Sequence, residues 1–298
     1  MDSPTATLIA ILRERIQALR DAGDLEEARH AANAAVEKCQ QSLGQDFESI
    51  DAFVAVLEIR AEILREMGAH EAARDDYRQA IDQLDGRVDC LAQLGRLHAG
   101  SGASHDALGN RDRVIEHWQQ AVACFARCEP PYLLDVAALS NNLGFLAKAA
   151  KDVDAAETHF LRALEILHAQ LGAGHEETAA VSNNLGALYH SAGYFEQARE
   201  MHMMALEARR SLFGEQHPDT AQSHNNLALA LLETGDRTWA RKHFEKALEG
   251  FEALGPEYRP DLEAVASNYC GFLRDEGESS LAELIAGRVQ QVVGSKTV

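Results

Sequence analysis

Basic residues are scarce in this 298-residue chain. Its 28 lysines and arginines stand against 47 aspartates and glutamates, which gives a formal net charge of −19. A nucleic-acid-binding surface needs cations that displace the counterions of the phosphate backbone. The charge balance therefore argues against nucleic acid as a partner and favours partners that carry basic patches.

Long apolar runs are also missing. No stretch of 18 apolar residues occurs, so the sequence predicts no membrane span. The N-terminal residues contain no basic leader or cleavage motif, and Arg13, Glu14 and Arg15 follow soon, so no signal peptide is expected. The predicted location is the cytoplasm, with a peripheral position at a membrane or on filaments as the alternative.

Cysteine and aromatic residues are few. The five cysteines are odd in number and lack the spacing of a small disulfide scaffold, so they are expected to be buried thiols in a reducing compartment. Aromatic residues make up 6% of the chain, whereas alanine is abundant. Small side chains in quantity are typical of helices that approach each other closely, and an all-α fold is predicted.

A short motif recurs every 42 residues. Ser-Asn-Asn-Leu-Gly at 140–144 returns at 182–186, then as His-Asn-Asn-Leu-Ala at 224–228, with a weaker copy at 267–271. Such a repeat must be found before any other feature is interpreted, because it decides the fold. Two alanine columns keep the same step: Ala156, Ala198 and Ala240, and Ala163, Ala205 and Ala247.

Each repeat is predicted to be a pair of helices. The first helix carries the Asn-Asn motif and apolar residues at helical spacing. In the fifth repeat the second helix is expected over about 195–212, with Ala198, His202 and Ala205 on one face, and Gly193 suits the C-cap between the two helices. Small residues are expected where helices cross, since a larger side chain would force the backbones apart.

The N-terminal half follows the same pattern less closely. If Gly95 is the counterpart of Gly144, then Gly95 to Ala121 spans 26 residues, whereas Gly144 to Ala163 spans 19. The third repeat is therefore predicted to carry an insert in its inner turn. The predicted repeats of one solenoid over 1–298 are 8–45, 53–85, 88–128 with the insert at 101–110, 135–172, 178–214, 220–254, and a partial repeat and cap over 262–292.

This pattern resembles tetratricopeptide repeats, and the unit with Asn-Asn-Leu and Gly-x-x-His-Pro-x-Thr (214–220) is similar to the repeats of kinesin light chains. The close match covers about 135–262. The resemblance implies an all-α, right-handed superhelical solenoid of antiparallel helix pairs with about six to seven repeats. Size and domain content are similar to the bacterial kinesin light chains that accompany bacterial tubulins. The first repeat begins near Leu8 with no heptad coiled coil before it, so a motor-subunit role is not expected.

The resemblance also implies a binding groove lined by the first helix of each pair. The first asparagine of each motif points into that groove in this family, and its amide can hold the backbone of an extended peptide. The alternative is that this ladder only ties neighbouring helices together. The second asparagines, such as Asn226, are expected to brace the neighbouring helix. The predicted groove residues are Asn141, Asn183, Asn225 and Asn268, with Phe145, Lys148, His190, Leu229 and Arg96 setting specificity.

A basic cluster with one tryptophan is predicted on the second helix of the sixth repeat. Its members are Arg237, Trp239, Arg241, Lys242 and Lys246. Such a helix can contact anionic lipid, although Glu245 interrupts the cluster and a solvated face is the simpler interpretation.

No motif for catalysis, a cofactor or a metal emerges. Gly100-Ser101-Gly102 lacks the preceding strand and the Gly-Lys-Ser of a phosphate loop. Cys124 and Cys128 lie one helical turn apart, with His117 seven residues earlier, but a metal site needs further ligands in register. The predicted function is a non-catalytic scaffold or adaptor that binds a protein or an extended peptide, with bacterial tubulin as the partner that the narrower resemblance implies. The alternatives are a peripheral membrane tether and a regulatory module for a catalytic partner in another chain.

Overall fold

The fold is all-helical. The structure is a computed structural model that describes residues 3–44, 46–254 and 256–294, and for 3–9, 256 and 292–294 it describes the backbone only. Within these ranges, α-helices follow one another with short turns, and no β-strand occurs. The chain divides into two compact units, Met1–Leu146 and Ala147–Val298.

The first six helices of the N-terminal unit pack as consecutive neighbours along the chain. Asp24 and Asp46 cap the second and third helices, since their carboxylates accept hydrogen bonds from backbone N–H groups in the first turn. A short 3₁₀ turn, Val88–Cys90, precedes the fifth helix. The helices are α1 (Ser3–Asp21), α2 (Leu25–Gln41), α3 (Phe47–Glu66), α4 (His70–Gln83), α5 (Leu91–Ala107), α6 (Arg111–Ala126) and α7 (Leu133–Ala149), the last of which continues into the C-terminal unit.

The C-terminal unit continues the pattern of helix pairs. Gly193 ends a helix with φ +83° and its N–H bonds to carbonyls of the last turn, which confirms the predicted C-cap. Pro218 opens the following helix, where its missing N–H costs nothing. The helices are α8 (Val153–Leu171), α9 (Glu176–Ala192), α10 (Phe195–Phe213), α11 (Pro218–Glu233), α12 (Arg237–Ala253), α13 (Arg259–Asp275) and α14 (Ser279–Gly294), with a 3₁₀ turn at Pro256–Tyr258 before α13.

The core repeats in columns that follow the 42-residue step. In two helix pairs, a glycine of the first helix faces a ring on the second helix, 16 residues later. A Cβ atom added to Gly186 would lie 2.8 Å from the His202 ring, so only a glycine allows the two helices to approach this closely. The ring column is Trp118, Phe160, His202 and Phe244, and the fully buried alanine column three residues further is Ala121, Ala163, Ala205 and Ala247.

The predicted insert at 101–110 is wrong. Helix α5 runs without a break to Ala107, and only three residues separate it from α6. Gly102 is the true counterpart of Gly186, because a Cβ added to it would collide with Trp118, again 16 residues later. Gly95 lies seven residues before Gly102, which is nearly two helical turns, so both glycines lie on one face of α5. Gly95 packs against Phe125 instead of Trp118.

The division into repeats remains a proposal. We propose seven helix pairs, α1–α2 to α13–α14, as the repeats, with a third repeat of regular length over 91–126 in place of the unit with an insert.

Candidate binding face

Amide side chains join the first helices of two pairs in the C-terminal unit. The Nδ2 group of Asn226 on α11 donates to Oδ1 of Asn183 on α9 at 2.9 Å, and Gln222 Nε2 donates to Asn226 Oδ1 at 3.0 Å. All three side chains are half-buried. The second asparagine of this motif therefore braces the neighbouring helix, as expected, and it does so through the first asparagine of the previous repeat.

A second amide contact joins α13 to α11. Asn268 Nδ2 donates to Asn225 Oδ1 at 3.1 Å. Asn225 is only 4% exposed, so its side chain lies between helices, which is the bracing arrangement that the sequence left as the alternative. Asn268 is half-buried and lies closer to solvent than its partner.

Lys148, His190 and His202 form a cationic corner of the same unit. Burial lowers the pKa of Lys148. Burial also lowers the pKa of His202 to about 4, with smaller contributions from its neighbours, among them His190 and Lys148. The His190 ring meets Phe195 edge-on, with 5.5 Å between centroids. Within the described part of the chain, His190 Nε2 and His202 Nδ1 have no hydrogen-bond partner.

We call the surface that α9, α11 and α13 share at these amides the first-helix face. Asn183, His190 and Asn268 lie on it, and Leu229 is partly buried and packs against the core of the unit. Asn183, Asn226 and His190 thus combine oriented amides with a polar, partly buried ring on one surface.

Three of the predicted groove residues lie in the N-terminal unit. Arg96 on α5 is engaged with a carboxylate, since its Nε donates to Glu58 Oε1 at 2.7 Å. After the register correction, Arg96 lies six residues before Gly102, so it does not occupy the position that Phe145 holds one residue after Gly144. On α7, Asn141 is half-buried and Phe145 is 44% exposed.

The basic cluster on α12 is largely neutralised. Arg237 pairs with Glu276, Arg241 pairs with both carboxylate oxygens of Glu278, and Lys246 Nζ lies 3.3 Å from Glu215. Lys242 lies over the exposed Trp239 ring, 4.2 Å from its centroid. The expected lipid contact therefore receives no support from this arrangement. No described helix combines the length and the apolarity that a membrane span requires.

Sequence inspection missed Arg209, which is 9% exposed in the core of the C-terminal unit. Its Nη1 donates to Ser223 Oγ at 2.9 Å and to the Asp219 carbonyl at 3.3 Å. The 42-residue step would have revealed it as a charge in an apolar column. The column otherwise contains Phe125, Leu167 and Phe251.

The match to a family model agrees with this geometry. The model for the tetratricopeptide repeat matches residues 135–211 and 193–253. This segment is an array of tetratricopeptide repeats. Its repeats include the motif at 140–144 and those at 182–186 and 224–228, and the fold class predicted from them is confirmed.

Solved structures of the same type extend the likeness over more of the chain. The crystal structure of BtubC (BKLC) from P. vanneervenii is 26% identical, covers 77% of this chain and 91% of its own, and has a TM-score of 0.60. A kinesin light chain with nearly identical TPR-like repeats from Podospora anserina is 18% identical, covers 65% of this chain and 92% of its own, and has a TM-score of 0.53. The predicted resemblance to kinesin light chain repeats is confirmed.

A further structure shows the fold over nearly the whole chain. The apo form of RapI is 14% identical, covers 98% of this chain and 78% of its own, and has a TM-score of 0.68. No curated protein matches the sequence significantly. The tetratricopeptide fold is that of a protein–protein interaction scaffold.

Proposed function

We propose that the chain is a non-catalytic scaffold whose first-helix face in the C-terminal unit binds an extended segment of a partner protein. The observation that carries the proposal is the amide network of Asn183, Asn226 and Gln222. One hydrogen bond between α11 and α9 and another within α11 hold these half-buried amides in fixed orientations, so a ligand does not have to order them on binding. Amides offer donors and acceptors that suit a peptide backbone.

The corner formed by Lys148, His190 and His202 suggests the chemistry of the ligand. His202 is neutral near pH 7 because burial lowers its pKa to about 4, so Lys148 supplies the positive charge. A partly buried ammonium group favours a carboxylate of the ligand. We therefore propose that the bound segment places an acidic side chain or a C-terminal carboxylate at this corner, with its backbone along Asn183 and Asn268.

A bacterial tubulin is the partner we propose for this face. Support comes from the resemblance to the bacterial kinesin light chains that accompany bacterial tubulins, and from the 26% identity to BtubC over 77% of the chain. In this proposal the chain acts as an adaptor on a cytoskeletal filament.

The proposal is tested by measuring the affinity of purified bacterial tubulin for the wild type and for Asn183→Ala/Asn268→Ala. Two lost hydrogen bonds of about 1 kcal/mol each predict an affinity about 30-fold weaker. The control, Gln170→Ala/Gln197→Ala, removes two exposed amides from the second helices α8 and α10 and should leave the affinity unchanged.

Circular dichroism of both variants checks that the fold is intact. Equal tubulin affinity in all three proteins would refute the role of the face. If the wild type retains no tubulin, affinity capture with mass spectrometry becomes the readout. If another protein is captured by the wild type and the control but not by Asn183→Ala/Asn268→Ala, the binding face is supported and tubulin is refuted as its partner.

A further inference from the structure

A cleft lined by three arginines, two carboxylates and two imidazoles lies in the N-terminal unit. It has a volume of about 600 Å³ and lies between α4 and α6, with α5 as its floor. Three arginines in one cleft stand out because basic residues are scarce in the chain. The residues that matter for its chemistry are Arg74 and Arg78 on α4, Ser101 and His105 on α5, and Arg113 and His117 on α6.

The three arginines reach the cleft from opposite sides. Arg74 and Arg78 are four residues apart and therefore lie on one face of α4, whereas Arg113 belongs to α6. Their carboxylate contacts are local, with Arg74 at 2.9 Å from Asp75 and Arg113 at 2.6 Å from Glu116. Exposed pairs of this kind contribute little, so a ligand can replace them at small cost.

The floor of the cleft holds imidazole rings in place. His105 stacks on His117 with 5.4 Å between centroids and an interplanar angle of 17°. His117 Nε2 lies 3.3 Å from Ser101 Oγ, and its Nδ1 lies 3.0 Å from His98 Nδ1. These contacts fix the two rings as a rigid polar surface beneath the arginines.

The rings carry no charge near pH 7 in the absence of a ligand. Burial lowers the pKa of His117 to about 4, with further lowering by His98 and His105. Burial, then Arg74 and Arg113, lowers the pKa of His105. The arginines of the cleft would attract an incoming anion, and the anion would in turn favour protonation of the rings. The charged and titratable groups around the rings are Arg74, Arg78 and Asp82 on α4, His98 on α5, and Arg113 and Glu116 on α6.

We propose that this cleft binds a phosphoryl dianion, as inorganic phosphate or as the phosphate monoester of a ligand. Guanidinium groups that converge from two helices suit an anion with three terminal oxygens, since each fork can donate two parallel hydrogen bonds. The serine hydroxyl and the imidazoles add neutral contacts at the floor. The site lies in the N-terminal unit, whereas the first-helix face belongs to the C-terminal unit.

The binding should strengthen as the pH falls. A dianion raises the pKa of the two rings, so its binding is accompanied by proton uptake.

Calorimetry with inorganic phosphate, O-phosphoserine and a phosphoserine peptide tests the proposal. The wild type should bind at least one of these saturably, and Arg74→Gln/Arg113→Gln should bind it at least tenfold more weakly. The control variant Arg29→Gln/Arg210→Gln removes two arginines that make the same type of pair with a glutamate three residues earlier, and it should bind like the wild type. Arg113→Lys keeps the charge but removes the fork, and it should weaken binding as well.

The comparison of probes separates the two sources of phosphate. Tighter binding of the phosphopeptide than of inorganic phosphate indicates a phosphorylated protein, and the reverse indicates a free anion. The unphosphorylated peptide should not bind. Absence of saturable binding by every phosphate probe, or equal affinity in the wild type and Arg74→Gln/Arg113→Gln with both proteins folded, would overturn the proposal.

Discussion

Arg209 allows a direct test of how the repeat columns determine stability. It occupies a position that is apolar in the neighbouring repeats, and among the described residues its Nε atom has no hydrogen-bond partner. Burial lowers the pKa of its guanidinium, against smaller opposite contributions from Asp219 and Glu176. A buried charge without a carboxylate partner is costly, so Arg209→Met should stabilise the protein.

The magnitude follows from what is lost and what is gained. Replacing buried ionic groups by apolar side chains of similar volume stabilises proteins by about 1–4 kcal/mol. The substitution removes the hydrogen bonds to Ser223 and Asp219, each worth about 1 kcal/mol. Ser223 can then turn its hydroxyl to the Asp219 carbonyl, four residues earlier, as Ser182 does with Thr178 at 2.8 Å. The net gain should be about 1–2 kcal/mol, or about 2–8 °C in Tm.

The assay is thermal and denaturant unfolding followed by circular dichroism, with a double-mutant cycle on Ser223. In the wild type, Ser223→Ala leaves the guanidinium with one partner fewer and should destabilise by about 1 kcal/mol or more. In the Arg209→Met background the same change should cost much less. A lower Tm for Arg209→Met, or an equal cost of Ser223→Ala in both backgrounds, would refute the reasoning.

Two further predictions concern the ring column. Gly102→Ala should lower stability by about 1–3 kcal/mol, because the new Cβ would collide with Trp118; an unchanged Tm would contradict the corrected register. His202→Phe should raise Tm and weaken its dependence on pH. The pKa of His202 is about 4 in the folded chain and about 6.5 in the unfolded chain. As the pH falls, the unfolded state therefore takes up the proton first, and the free energy of unfolding decreases by about 2 kcal/mol between pH 7 and 5. If Tm changes with pH equally in the wild type and in His202→Phe over this range, the low pKa of His202 is contradicted.

The local features of the fold could be predicted from the sequence. The 42-residue step, the cap at Gly193 and the second helix over 195–212, observed as Phe195–Phe213, depend on residues close together in the chain. The error in the third repeat has a helical cause. Leu94-Gly95 and Ser101-Gly102 are two turns apart, so both satisfy the same facial pattern, and only the contact with Trp118 distinguishes them.

Apart from the bracing role of Asn226, contacts between repeats could not be predicted. Arg241 meets Glu278, Asn226 meets Asn183 and Asn268 meets Asn225, and each pair is separated by about forty residues. Which side chains meet depends on how one helix pair packs against the next, and a motif does not record that. In the structure, partners neutralise most of the basic residues on α12, and Asn225 is more buried than the other three asparagines.

The fifth repeat contains two polar residues in otherwise apolar columns, and they differ in where they point. Such local departures from a consistent pattern are expected at functional sites. His202 lies beside Lys148 and His190, at the corner of the first-helix face, whereas Arg209 contacts the first turns of α11. If His202 is polar because the face binds a ligand, then His202→Phe should gain stability and lose partner affinity, while Arg209→Met should gain stability alone. Equal affinities of both variants for the partner would mean that neither departure serves the proposed face, and that the cationic corner has to be assigned another role.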